Sequence, residues 1–344
     1  MGLHAIDRVF PGGGYGVDIF FVLSAFLITS LILEELEERS ARYSFGAFYW
    51  RRVFRLAPAL LLWLVAVASV TAVAMHQASL IPVSTAASLF YFGDFAGAAG
   101  LSMADGYIHV WSLAIEEQFY LVWPFLLVLV VTRTSINMQR RVLALGILGA
   151  LALAFVSARE FRSSYFLPTR HLVCLTVGAL AGHAFVTGAG YRSERILARS
   201  LVGPACLAVL AAAIFGHWSL GADSRPAFQL AVAVATGALL LHLCLRQNGR
   251  LAMTLASKPS VWTGKRSYGL YLYHRTFSLL IPALITGITL RYAVPLVLAI
   301  SLLVAAVSYR FVERPVRRAG RAWLRRRETA VSTSPEAAVR VVQA

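Results

Sequence analysis

Long apolar runs recur along this chain and constrain its fold more than any other feature. Nine of them cover residues 17–33, 55–75, 113–132, 142–157, 171–188, 202–218, 227–245, 267–288 and 292–311. A helix needs about 20 apolar residues to cross the hydrocarbon core of a bilayer, so most of these runs are long enough and 142–157 is marginal. Only 14% of the residues are charged, against roughly a quarter in a soluble domain. The sequence therefore predicts an all-α fold, a polytopic transmembrane helical bundle with about nine spans.

The bundle is predicted to occupy residues 1–327 as one membrane domain. The remaining residues, 328–344, are small and polar and predict a disordered cytoplasmic tail. A tenth apolar stretch, 84–98, is short and is interrupted by Gly93 and Asp94. It is typical of a re-entrant or interfacial segment rather than of a span.

The basic residues indicate how the bundle is oriented. The formal net charge is +16. If residue 17 begins on the outer side, 25 Lys and Arg residues lie on the inner side and six on the outer, and the loop 76–112 carries none. This asymmetry predicts a bacterial inner-membrane protein with a cytoplasmic C-terminus, in contact with anionic lipids. It leaves no basic domain outside the membrane for nucleic acid.

The same count places Met1 on the outer side. One further helix upstream would restore the parity, so we expect the natural start to lie upstream and the complete bundle to have ten spans. Cys174, Cys206 and Cys244 all fall in apolar stretches without metal-ligand spacing, and no metal site is predicted.

Two adjacent carboxylates stand at the entrance to a span in "HVWSLAIEEQFYLVWP", residues 109–124. On a helix, Glu116 shares a face with Ser112 and Tyr120, whereas Glu117 points about 100° away. Ionisable groups inside spans are functional candidates by default. The favourable field of a helix N-terminus is the alternative explanation, and it accounts for one acid better than for two.

A third carboxylate, Asp18, begins the first span in "GGGYGVDIFFVLSAFLITS", residues 12–30. Three glycines precede it and allow a close approach of the backbone. His4 stands shortly before them. The alternatives are a turn followed by a helix N-cap region, and a terminal histidine without a special role.

Two basic stretches complete the set of candidates. In "FYWRRVFRLAPALLL", residues 48–62, Arg51 and Arg55 share a helix face beside Arg52. They either anchor the inner end of a span or bind phosphates, which suit the guanidinium fork. In "KRSYGLYLYHRTFSLL", residues 265–280, His274 lies inside a span beside Arg275. Charge at that depth costs about 2.5–3.5 kcal/mol, so polar partners are expected inside the bundle.

Together these stretches resemble the integral membrane acyltransferases of acyltransferase family three. The family's Gly-Val-Asp block matches "GVDIFFVLSAFLIT" (16–29), with Ala25 in place of the usual Gly, and its Arg-Arg-x-x-Arg-x-x-Pro stretch matches "YWRRVFRLAPAL" (49–60). Its Glu-Glu-Gln-Phe-Tyr stretch matches residues 109–124. The segments "PTRHLVCLTVGALAG" (168–182), "SYGLYLYH" (267–274) and "SYRFVERPVRR" (308–318) also fit. The resemblance covers nearly the whole chain, in order.

The resemblance implies a membrane-bound O-acyltransferase. The co-substrate would be cytoplasmic acyl-CoA, most simply acetyl-CoA, with no permanently bound cofactor. The acceptor would be a hydroxyl on the outer side, on an envelope glycan such as lipopolysaccharide O-antigen or peptidoglycan, or on a lipid-linked sugar. Acyl groups other than acetyl, and a small-molecule acceptor, stay open.

The resemblance also implies roles for individual residues. His4 would be the catalytic base, with Asp18 or Glu116 as its partner and Glu117 beside them. Three arginines would hold the phosphates of the donor: Arg51, Arg52 and Arg55. The pocket would be lined by His109, Ser112, Tyr120, Arg170, Tyr268 and His274. The main alternative is a polytopic transporter or exporter of an acylated or glycan substrate, and the third is a non-catalytic membrane scaffold.

Overall fold

The computed structural model describes residues 12–38, 43–160, 164–188, 195–216, 225–285 and 287–332, and these ranges contain helices and no strand. The helices up to the middle of the chain are α1 (Tyr15–Glu38), α2 (Phe45–Val73), α3 (Ile81–Leu89), α4 (Gly93–Ala98), α5 (Trp111–Arg133), α6 (Ile136–Glu160) and α7 (Pro168–Thr187). They are followed by α8 (Val202–Phe215), α9 (Arg225–Leu245), α10 (Arg250–Leu255), α11 (Lys258–Gly264), α12 (Ser267–Leu284), α13 (Leu290–Ser308) and α14 (Arg314–Ser332). The predicted all-α class is confirmed.

Seven helical segments within the described residues are long and apolar enough to cross a membrane. They are α1, α2, α5 with the turn before it, α6, α7, α9, and the continuous helical stretch Arg291–Arg327. The other two predicted runs form α8, which has 14 residues, and α12, which has 18 residues and contains His274 and Arg275. The predicted non-spanning stretch 84–98 falls on the short helices α3 and α4.

The chain divides into two compact units. The first comprises Met1–Tyr43 and His76–Val261, and the second comprises Ser44–Met75 and Trp262–Ala344. The predicted membrane domain 1–327 therefore contains both. Helix α14 continues to Ser332, so residues 328–332 are helical, whereas the sequence predicted the start of a disordered tail there. Residues 333–344 lie outside the described part of the chain.

In the first unit, α1 and α7 pack with their backbones almost in contact. Gly178 and Gly182, one helical turn apart on α7, face α1. A Cβ added to Gly178 would lie 2.3 Å from the carbonyl oxygen of Val22, and one added to Gly182 would lie 2.6 Å from that of Phe26. Small residues at this spacing let transmembrane helices approach closely. The approach brings the polar first turns of the two helices together.

Gly178→Ala should destabilise the first unit by about 1–3 kcal/mol, because the added methyl would meet backbone atoms that cannot move independently. Gly149→Ala is the matched control, since a Cβ at Gly149 meets nothing within 4 Å. That change should be neutral or stabilising by up to about 1 kcal/mol, as alanine is the better helix former. Thermal unfolding of the detergent-solubilised variants measures both. Equal melting temperatures for the two variants would contradict the close packing.

The long segment between α2 and α5, residues 74–110, is folded and packs on the start of α5. Ser84 Oγ accepts a hydrogen bond of 2.9 Å from the Ala104 backbone N–H, and the Thr85 and Tyr107 hydroxyls lie 3.1 Å apart. Asp94 in α4 is buried. The Gln118 side-chain amide of α5 donates to both its carboxylate oxygens, at 3.0 and 3.1 Å. These bonds tie the segment to α5.

Burial raises the pKa of the Asp94 carboxyl, against the opposing effect of bonds from the Phe95 backbone and Gln118. A carboxyl whose pKa is higher in the folded than in the unfolded state makes its full contribution to stability at pH values below the unfolded pKa. That contribution is lost as the pH rises through the folded pKa. Asp94→Asn stays neutral throughout. The difference in melting temperature between Asp94→Asn and wild type should therefore be more in favour of the variant at pH 7.5 than at pH 4. Asp105→Asn is the control for loss of a loop carboxylate. A pH-independent difference would contradict this.

In the second unit, α2 packs against α12 and α14. Trp63 Nε1 donates to Thr276 Oγ1 at 3.1 Å, which joins α2 to α12. The ring of Trp323 in α14 meets those of Trp50 and Phe54 in α2, at centroid distances of 5.3 and 5.9 Å. A π-helical turn, Tyr309–Glu313, connects α13 to α14.

Candidate active site

The buried carboxylate of Asp18 lies where three helices of the first unit begin. It stands in the first turn of α1 and is 4% exposed. Its Oδ1 accepts from His171 Nδ1 at 2.9 Å and from Gln229 Nε2 at 2.6 Å, near the starts of α7 and α9. Cys174 Sγ lies 3.5 Å from the same oxygen. Helix N-termini carry partial positive charge, so their convergence favours a carboxylate here.

Both ring nitrogens of His171 face oxygen acceptors. Nε2 lies 2.9 Å from the Tyr165 backbone carbonyl, and Nδ1 lies 2.9 Å from Asp18 Oδ1. The Gln229 Nε2 atom also lies 3.1 Å from Nδ1, so both ring nitrogens are engaged by groups of the protein. A ring whose two nitrogens are both engaged within the protein has neither available to a substrate hydroxyl. His171 is therefore a positioning residue for Asp18.

Asp18 and His171 line a polar cavity of about 220 Å³. The other lining residues are Gly12, Gly14, Tyr15, Tyr165, Arg170, Gly216, Arg225 and Gln229. The cavity is smaller than the roughly 300–1,000 Å³ typical of sites for drug-sized ligands. It suits one small polar group, and its two guanidinium groups suit negative charge that develops on an oxygen.

Glu116 forms a second polar centre in the first unit. It is 5% exposed, and its Oε1 accepts from Ser24 Oγ at 2.7 Å and from the hydroxyl of Tyr120. Tyr120 stands on the helix face that the sequence predicted for Glu116. Ser24 lies six residues after Asp18 in α1, which is about 9 Å along the helix axis. The two carboxylates therefore occupy different levels of the unit and hold different partners.

An aromatic layer lies beside the Asp18 centre. The Trp111 ring, at the start of α5, is 5.1 Å from His171 and 6.5 Å from Phe21. Phe21 is in turn 5.3 Å from His171. These rings bury the His171 ring, and a dry surround strengthens its hydrogen bond to Asp18.

The other predicted residues are distributed over both units. In the first unit, Glu117 is half-buried, Ser112 is buried with its hydroxyl 3.5 Å from the His109 carbonyl, and Arg170 lines the Asp18 cavity. In the second, Arg51 and Arg55 are exposed and Arg52 is half-buried on α2. Tyr268 and His274 lie on α12, where His274 Nδ1 contacts the Tyr271 carbonyl at 2.6 Å. His4 lies outside the described residues.

Three residues of the Asp18 centre were missed by sequence reasoning: His171, Gln229 and Arg225. His171 is next to Arg170 in "PTRH", and Gln229 is the one amide in the apolar run 227–245. Each could have been flagged as a polar group in a span. Their pairing with Asp18 depends on contacts between helices distant in sequence.

Comparison with known proteins identifies the family of this chain. A family model described as an acyltransferase domain, that of acyltransferase family three, matches residues 3–310. O-acetyltransferase OatA of Staphylococcus aureus is 26% identical over 333 residues, covering 92% of this chain and 55% of that protein. Peptidoglycan O-acetyltransferase OatA of Listeria monocytogenes is 31% identical over 331 residues, covering 90% and 52%. No solved structure gives a significant match.

A third relative is the putative peptidoglycan O-acetyltransferase YrhL of Bacillus subtilis, 29% identical over 331 residues, covering 90% of this chain and 51% of that protein. The chain thus spans about half the length of the curated relatives it matches. The residues of this chain that match the family model include the helices that carry Asp18, Glu116 and Arg51. With its long apolar helices, the chain is a multi-pass membrane protein that belongs to acyltransferase family three.

Proposed function

We propose that the protein is a membrane O-acetyltransferase that transfers an acetyl group from acetyl-CoA to a hydroxyl of a cell-envelope glycan. Peptidoglycan is the first acceptor to test, because two of the relatives are named peptidoglycan O-acetyltransferases. The observation that carries the proposal is the polar cavity around Asp18, in a chain that matches the acyltransferase family along most of its length.

In this proposal His4 is the general base. Its ring takes the proton of the acceptor hydroxyl as the hydroxyl oxygen attacks the thioester carbonyl. The new C–O bond forms, the C–S bond breaks, and the thiolate leaves with the proton as free thiol. Asp18 orients His4 and stabilises its imidazolium. All three hydrogen bonds described for Asp18 end on Oδ1, so Oδ2 is the oxygen assigned to His4.

The guanidinium groups of the cavity would act on the tetrahedral intermediate. Arg170 and Arg225 both line the cavity with Asp18. A preorganised cationic donor aimed at a developing oxyanion stabilises it most when water is excluded. Two arginines against one carboxylate give the cavity an excess of positive charge, which suits that intermediate.

The donor is proposed to reach the site from the cytoplasmic side, where Arg51, Arg52 and Arg55 hold its phosphates. The spacing of Arg51 and Arg55 on one exposed face of α2 supports this. The C-terminus would share that side, in the bacterial inner membrane.

Transfer of radiolabel tests the function directly. The purified protein in proteoliposomes is given [14C]acetyl-CoA and, in separate reactions, peptidoglycan fragments, lipid-linked sugars or O-antigen polysaccharide. We expect alkali-labile label on one glycan, as an O-acetyl ester requires. Movement of the glycan across the membrane without label would instead favour the transporter and would contradict the proposed activity.

A further inference from the structure

A second buried carboxylate lies in the other unit and has no part in the chemistry above. Glu313 ends the π-helical turn between α13 and α14 and is 2% exposed. Ser308 Oγ donates to its Oε1 at 3.2 Å. The same oxygen would lie 3.4 Å from a Cβ placed on Gly269, in the first turn of α12. The helix N-terminus and the absent side chain at Gly269 make room for the charge.

Three arginines from three different elements act electrostatically on Glu313: Arg55 of α2, Arg266 before α12, and Arg317 of α14. Arg317 follows Glu313 by four residues, so the two share a helix face. A carboxylate among arginines reduces their mutual repulsion, and three guanidinium groups near one carboxylate leave an excess of positive charge for an anion.

Arg266 provides an independent observation that favours an anionic ligand at this position. Its guanidinium stacks on the Trp262 ring at 3.9 Å and lies 4.8 Å from the Tyr309 ring centroid, beside the π-helical turn. Its Nη1 donates to the Trp262 carbonyl at 2.6 Å. Its Nε is buried and has no hydrogen-bond partner among the described residues. A buried unpaired donor is rare in native proteins and calls for an acceptor such as an ion or ligand.

We propose that Glu313 is a positioning residue that gathers Arg55, Arg266 and Arg317 into a phosphate-binding site, and that the site holds the phosphates of the acyl donor. The assignment to the donor rests on the proposed function. Arg55 belongs both to this cluster and to the exposed face of α2 that carries Arg51. The cluster and that face are therefore parts of one site. Guanidinium groups bind phosphate oxygens through charge-assisted, often bidentate hydrogen bonds.

Direct binding tests the site. Equilibrium binding of CoA, 3′-dephospho-CoA and pantetheine is measured on the purified protein, with the variants Arg266→Gln, Arg317→Gln and Glu313→Gln. Arg266→Gln and Arg317→Gln should each bind CoA about tenfold more weakly, as the loss of one charge-assisted contact implies. Glu313→Gln should weaken binding to a similar extent, because the arginines lose the carboxylate that positions them. Binding of pantetheine, which has no phosphate, should be unchanged. Arg314→Gln is the matched control, because Arg314 is an exposed arginine beside Glu313 on the same helix.

A positioning role for Glu313 also predicts a kinetic signature. Glu313→Gln should raise the KM for acetyl-CoA and leave kcat within about twofold, because phosphate binding is uniform between ground and transition state. Glu313→Asp should recover part of the affinity. Arg266→Gln keeps Glu313 in place and tests the site if Glu313→Gln fails to fold, which thermal unfolding would reveal.

The outcomes separate this proposal from the function on which it rests. If wild type transfers acetyl groups and all variants bind CoA like Arg314→Gln, the phosphate site is wrong and the function stands. If the variants lose CoA binding and wild type transfers nothing, the site stands and the function is wrong. A phospholipid headgroup is the other source of phosphate. Thermal stabilisation of wild type and variants by phosphatidylglycerol is therefore compared with that by phosphatidylcholine. If the variants lost the stabilisation by phosphatidylglycerol but still bound CoA like wild type, the assignment to the donor would be overturned.

Discussion

Asp18→Asn should lower the rate of acetyl transfer by about 100-fold to 10,000-fold, the range expected when a catalytic base loses its carboxylate partner. The substitution keeps the size of the side chain and removes its charge. His171 and Gln229 would then lose the carboxylate that they contact. If the new amide kept its oxygen towards Gln229 and His171, its NH₂ group would be directed at the proposed base. The base needs a hydrogen-bond acceptor there, so it would no longer be oriented. The rate with [14C]acetyl-CoA measures the loss, on protein shown by thermal unfolding to be folded.

Asp105→Asn is the control for this variant. Asp105 is a half-buried carboxylate of the same unit that accepts a bond of 3.2 Å from Gln77 outside the cavity. It should transfer acetyl groups at a rate close to that of wild type. An Asp18→Asn protein with near-wild-type activity would remove Asp18 from the mechanism, and Glu116 would become the carboxylate to test next.

His4→Asn should cost a similar factor, about 100-fold to 10,000-fold, because general base catalysis is worth that much when the base is positioned. The loss should lie in kcat rather than in the KM for acetyl-CoA. The acid limb of the pH–rate profile should flatten as well, because the titrating base is gone. The matched control is His76→Asn, since His76 is exposed and has a positive φ of 54°, which asparagine tolerates.

His171→Asn distinguishes the base from the positioning residue. With both ring nitrogens engaged, His171 should contribute to stability as well as to rate. Its loss should lower the melting temperature, whereas loss of His4 should not do so to the same extent. If His4→Asn were fully active and His171→Asn inactive but stable, His171 would be the base and its assignment as a positioning residue would be wrong.

Much of the fold could be predicted from the pattern of apolar runs. A membrane leaves the backbone few choices, so a run of about 20 apolar residues predicts a helix whatever its neighbours are. The runs at α8 and α12 were harder, because α8 has only 14 helical residues and α12 carries charge within its 18. The two short helices α3 and α4 carry a Pro and a Gly–Asp pair in their first turns, and sequence alone could say only that they do not span.

The candidate site was predicted unevenly. Local spacing was enough for the Glu116–Tyr120 contact, because residues four apart on a helix are neighbours. It was not enough for Ser24, which bonds to Glu116 across 92 residues of sequence. The same holds for Trp123 and Thr29, which are joined at 2.9 Å across 94 residues. Such pairs depend on which helix faces meet.

The sequence by itself determined that this is a helical membrane protein of acyltransferase family three. It also placed carboxylates at the starts of two spans and a group of arginines at one end of another. These properties follow from local composition and spacing. Only the tertiary structure decided that Asp18 pairs with His171 and Gln229, 153 and 211 residues away, while Glu116 holds Ser24 and Tyr120. The physical reason is helix packing: the glycines of α7 let it approach α1 closely, and this approach selects the polar groups that share the cavity.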